Sequence, residues 1–115
     1  MSSESDDRAT AVALWPELAA KREAIAELCR ALGVRRLAVF GSATTGEFDP
    51  SRSDVDFLVA FDPARRARRF EDFFGLKEGL EALLDRPVDL VTPDALTNPY
   101  FAESVARTEA ELYAA

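Results

Sequence analysis

Ser53-Asp54-Val55-Asp56-Phe57-Leu58-Val59-Ala60-Phe61 is the stretch that decides the fold. From Val55 to Phe61 it is rich in branched and aromatic residues and ends on Asp62-Pro63, a turn signal, so it reads as a buried strand. The alternation of a strand places Asp54 and Asp56 on one face. Two carboxylates so close repel one another, and a strand that keeps both loses stability unless a cation or several donors compensate.

Working outward, Arg36-Leu37-Ala38-Val39-Phe40 is an apolar run that closes on Gly41-Ser42, long enough for a strand and too short for a helix. Glycine lets a backbone approach a phosphate, and the amides and hydroxyl of such a turn can donate to its oxygens. Arg86-Pro87-Val88-Asp89-Leu90-Val91 predicts a third strand, with Asp89 on the face opposite Val88 and Leu90 and beside Asp56 if the strands pair. Helices are expected over Pro16 to Leu32, with Gly33 as C-cap, and from about Phe70 to Leu84. Thr92-Pro93 predicts the start of a final helix, continuous or interrupted at Asn98-Pro99, that runs towards Leu112. The expected fold is α/β, a small three-stranded mixed sheet packed by helices. Residues 1–10, polar and acidic, read as a tail, and residues 11–115 as one domain.

Composition narrows the chemistry. The 115 residues carry a net charge of −7, which argues against direct nucleic-acid binding and against anionic membranes. No apolar run approaches the roughly 20 residues needed to span a bilayer, and the expected location is cytoplasmic. The single cysteine, Cys29, reads as a buried small hydrophobe in a reducing compartment. There is no histidine, so catalysis here must run on carboxylates and metal.

Asp-x-Asp occurs in other settings too. An EF-hand is excluded because its glycine and distal glutamate are missing at their offsets, and Gly41-Ser42 lacks the Gly-Lys-Ser/Thr of a P-loop. Arg65-Arg66-Ala67-Arg68-Arg69, the one basic run, reads as a solvated approach to the second helix. Trp15, Phe70, Phe73, Phe74, Tyr100, Phe101 and Tyr113 read as core or partner-facing rather than base-stacking residues.

The order strand, Gly-Ser, loop, Asp-x-Asp strand, helix, strand with Asp resembles the nucleotidyltransferase superfamily that includes DNA polymerase β. Val39-Phe40-Gly41-Ser42, Gly46-Glu47, Ser53 to Val59, Gly75-Leu76-Lys77-Glu78 and Val88-Asp89-Leu90-Val91-Thr92-Pro93 are similar to the minimal nucleotidyltransferase (MNT) family, which supplies the antitoxin of HEPN/MNT pairs. The resemblance implies transfer of AMP from ATP to a hydroxyl, a tyrosine's, on a partner HEPN ribonuclease toxin, in a hetero-oligomer with that toxin. It also implies two Mg²⁺ ions on Asp54, Asp56 and Asp89, those three as catalytic residues, and Gly41-Ser42 on the distal phosphates of ATP. The alternative is an antitoxin that neutralises by binding alone. Two departures leave room for it: Ala43 to Ser53 is one residue longer than the family commonly shows, and Thr44-Thr45 stand where an arginine often precedes Gly46-Glu47.

Overall fold

The computed structural model describes residues 14–46, 49 and 54–115. The proposed tail, the start of the domain at residue 11, and most of the loop after Gly46 lie outside the described residues. Helices α1 (Pro16–Ala20) and α2 (Arg22–Ala31) lead into β1 (Val34–Phe40), and a 3₁₀ turn over Gly41–Thr44 follows. After β2 (Val55–Phe61) and further 3₁₀ turns over Pro63–Arg68 comes α3 (Arg69–Leu84), then β3 (Val88–Val91). A 3₁₀ turn over Pro93–Thr97, α4 (Pro99–Thr108) and β4 (Ala110–Ala114) complete the described chain.

The sheet has the order β3-β2-β1-β4, with β1 antiparallel to β2 and to β4, and β2 parallel to β3. Odd positions of β2, together with Val88 and Leu90, pack against Leu18, Ile25 and Cys29 on one side and Leu76, Leu80 and Leu84 on the other helix. The even face is covered by a smaller cluster in which Phe40, Leu58 and Val105 meet Leu96 and Phe101, Phe40 and Phe101 standing edge to face at 5.7 Å. Helices therefore cover both faces. Burial pushes the Cys29 thiol up to about 12, which leaves it an inert hydrophobe.

Three expectations need correction. The sheet has four strands, not three: the final helix stops at Thr108, and the residues expected to prolong it form β4. Ala110-Glu111-Leu112 has good helical propensity, but pairing with β1 decides the matter, reinforced by Arg36, whose Nε donates to Glu111 Oε1 at 2.7 Å and whose Nη2 lies 3.2 Å from Glu109. The first helix is broken at Lys21 into α1 and α2. The cap expected at Thr92 is absent: a 3₁₀ turn starts at Pro93, the chain is interrupted at Asn98-Pro99 as one of the two expectations had it, and the α-helix begins there, where Asn98 Oδ1 accepts from the Tyr100 and Phe101 amides.

Candidate active site

The parallel register of β2 and β3 sets Val55 opposite Val88 and Asp56 opposite Asp89. Successive residues of a strand alternate in face, so each acid leaves the sheet on the side away from the main core. Asp54 stands just before β2 and is exposed, Asp56 is half-buried, and Asp89 is exposed. The position of Asp89 is held from the preceding residue. Lys77 Nζ donates to the Val88 carbonyl at 2.9 Å and to Glu81 Oε2 at 2.8 Å, while that same Glu81 oxygen accepts from the Val88 amide at 3.1 Å. Both hydrogen bonds hold the Glu81 carboxyl below its ordinary range.

The turn after β1 presses against these acids. Gly41 has φ +80°, a conformation unfavourable to any residue with a Cβ, and a Cβ built there would stand 2.9 Å from Asp56 Oδ2. Gly41 therefore serves conformation and clearance together. Its amide donates to Thr108 Oγ1 at 3.0 Å, and Thr108 in turn donates to the Ser104 carbonyl at 3.0 Å. Buried Thr44 ties the turn from the other side, its hydroxyl donating to the Gly41 carbonyl at 3.0 Å. The Gly41 amide is thus engaged, while the Ser42 hydroxyl has no partner among the described residues. Of the expected Gly-Ser phosphate donors, the serine hydroxyl is the one left available.

Electrostatics marks the same spot. Asp56 is pushed up to about 6, first by burial, then by the charges of Asp89 and Asp54. No cationic side chain among the described residues pairs with it. A divalent ion suits this set, because Mg²⁺ takes hard oxygen ligands and is commonly held by one or two carboxylates plus substrate phosphates. Among the described residues no group of three His, Cys, Asp or Glu side chains encloses a metal position by itself. The acids feel one another's charge without closing into a cage, the arrangement in which substrate oxygens complete a coordination shell.

A nucleotidyltransferase-domain family model matches residues 21–108. The chain belongs to the nucleotidyltransferase domain family. The protein adenylyltransferase MntA of Thermococcus cleftensis is 44% identical over 70 residues, 61% of this chain and 67% of that protein. A solved structure provisionally described as a minimal nucleotidyltransferase superposes with a TM-score of 0.67 at 37% identity, covering 84% of this chain and 94% of its own. More distantly, the MNT antitoxin in complex with the tri-AMPylated HEPN toxin of Shewanella oneidensis shares the fold, with a TM-score of 0.51 at 21% identity over 83% of this chain and 71% of its own.

All five residues expected in the site, Gly41, Ser42, Asp54, Asp56 and Asp89, thus lie at one end of the β2–β3 pair or on the turn against it. No supporting role for Thr44, Lys77, Glu81 or Thr108 is legible in sequence: the Lys77–Glu81 spacing is that of any surface helical pair, and the contact from Gly41 to Thr108 crosses 67 positions. The basic run is solvated at Arg66 and Arg68, as expected, and differs at Arg65 and Arg69. Arg65 forks onto Asp72, its Nε and Nη2 at 3.1 and 2.9 Å from the two oxygens, and Asp72 is only 1% exposed. The Arg69 guanidinium lies 5.1 Å from the centre of the Phe61 ring. No helix among the described residues is long and apolar enough to cross a membrane.

Proposed function

We propose that this nucleotidyltransferase moves AMP from ATP to a hydroxyl, a tyrosine's, on a HEPN-domain ribonuclease toxin and so acts as the toxin's antitoxin. The observation that supports this most is the register that sets Asp56 against Asp89 beside Asp54, over a turn whose glycine clears the Asp56 carboxylate. Asp54 and Asp56 would hold divalent ions for the triphosphate, and Asp89 would complete the set towards the acceptor. When bound, the ions neutralise charge on the phosphates and favour the acceptor's deprotonation. The Ser42 hydroxyl donates to the distal phosphates. The acceptor oxygen forms a bond to the α-phosphorus, the α–β anhydride bond breaks, and pyrophosphate leaves. The acceptor's proton passes to a carboxylate of the acid set, since the chain has no histidine to take it.

The second reading, neutralisation by occupancy alone, is favoured by Thr44-Thr45 in place of the arginine and by the Gly41 amide being engaged by Thr108. Incubation with α-labelled ATP, Mg²⁺ and the HEPN-domain protein separates the two. Label on the HEPN protein with wild type and none with Asp54→Asn/Asp56→Asn is the expected result. An unlabelled partner that both forms inactivate equally would replace it with occupancy.

A further inference from the structure

The far end of β2 carries a second feature that AMP transfer does not use. A cavity of about 750 Å³ opens where β2 ends and α3 begins, walled by Phe61, Phe70, Phe73 and Phe74, with Arg66 and Arg69 on its basic side. Val59, the β2 lining residue nearest Asp56, stands roughly 10 Å from it along the strand. None of the three acids lines the cavity.

Two properties of this cavity are unusual. Phe70 is 74% exposed and Phe74 42%, their rings 4.8 Å apart, so a contiguous aromatic surface faces solvent on a protein with a well-filled core. The charge beside it is opposite to that of the chain. In a molecule of net charge −7, four arginines stand within five positions, and among the described residues only Arg65 of the four forms an ion pair with a carboxylate. Arg66 and Arg68 are exposed without an ion pair among the described residues, and Arg69, whose Nη2 donates to the Asp62 carbonyl at 3.5 Å over the Phe61 ring, keeps its charge without a carboxylate and its buried Nε without an acceptor among them. Asp94 also lines the opening.

We propose that this cavity is the docking surface for the HEPN-domain protein, and that it receives an apolar side chain of that protein flanked by carboxylates. The inference rests on the function proposed above and adds where the partner is held. An apolar anchor fills the phenylalanine pocket, as the buried centre of a protein interface does, and its neighbouring carboxylates meet Arg66 and Arg69. The excess of acid elsewhere on the chain repels such a segment, so the basic rim also selects the orientation of docking. Binding here leaves the acid site free for nucleotide and for the acceptor hydroxyl.

The test uses the whole chain and the purified HEPN-domain protein, with affinity measured by calorimetry in the absence of ATP and AMP transfer measured separately. Phe70→Ser and Arg66→Glu alter exposed side chains, so unchanged melting temperatures certify the fold. Each is expected to weaken the complex by about ten-fold, and the pair by more, with the Arg66 contribution shrinking at high salt. A double variant that binds with wild-type affinity overturns the docking surface, and AMP transfer by wild type in the same preparation leaves the proposed activity standing. Lost binding in the variants, with no transfer by wild type, upholds docking and removes the activity instead. If Phe70→Ser abolishes binding of a labelled single-stranded RNA oligonucleotide and spares the HEPN complex, the surface belongs to nucleic acid and the proposal fails.

Discussion

The two ends of β2 hold clusters of like charge, and the fold treats them in opposite ways. At the far end, Arg65 is clamped by the nearly inaccessible Asp72, and Arg69 lies over the Phe61 ring, so part of the basic run has become structure. At the near end, Asp54, Asp56 and Asp89 converge with no cation from the described residues, and Asp56 carries the cost in a raised pKa. The difference teaches where to look for function. A charge cluster resolved by its own chain supports the fold, whereas one brought together and left unresolved is set to bind something of opposite sign.

The sharpest way to break the comparison is at the near end. Asp54→Asn/Asp56→Asn is expected to reduce AMP transfer by at least ~10³-fold, read by label incorporation, while leaving the melting temperature equal or higher, because like charges are removed. Unfolding of this variant would mean that the acids are structural after all. A companion measurement follows thermal stability with Mg-ATP. Wild type should gain several degrees at millimolar ligand and the double variant should gain almost nothing, since a ligand that binds only the folded state stabilises it by mass action.

The Arg65–Asp72 pair at the far end should respond in stability rather than activity. Asp72→Ala leaves Arg65 without its carboxylate and should cost about 2 kcal/mol, read as a lower denaturation midpoint, with KM for ATP unchanged. The Arg65 guanidinium holds the Asp72 carboxyl below its ordinary range, so this contribution is present above the usual carboxylate pKa and is lost as pH falls through the lowered folded value.

Gly41→Ala links the two kinds of effect. It should cost about 1 kcal/mol for the positive φ and more for the contact with Asp56 Oδ2, and should lower transfer by displacing that carboxylate. The smallest expected effect is a pH dependence. Asp56 is raised to about 6, so its ionised form opposes folding: wild type loses stability as pH rises from about 4 through 6, and Asp56→Asn does not. After allowance for solvent screening of a half-exposed group, the difference at pH 8 without metal is roughly 1 kcal/mol. Parallel stability curves for the two proteins would contradict the unresolved charge.

The elements that were legible in sequence announce themselves locally. Val55 to Phe61, Val88 to Val91 and the run into Gly41 carry strand residues bounded by turn signals, and the acids stand out because carboxylates rarely interrupt apolar strands. β4 was misread because Ala110-Glu111-Leu112 is locally helical, and only pairing with Leu37 to Val39, some 70 residues earlier, makes it a strand. The break at Lys21 carries neither proline nor glycine, and the hydrogen bond from Gly41 to Thr108 joins distant segments. The basic run looked solvated because Asp72 sits seven residues from Arg65, where no simple helical spacing pairs them.

The central claim is that the unresolved acid cluster performs covalent transfer rather than marking a surface for occupancy. Intact mass spectrometry of the HEPN-domain protein, after co-expression with wild type or with Asp54→Asn/Asp56→Asn and removal of this chain, tests it most directly. The predicted result is a mass increase of one AMP per modified hydroxyl with wild type, none with the variant, and a modified toxin that stays inactive alone. An unmodified toxin that both forms silence equally, and that regains activity once either is removed, would contradict it.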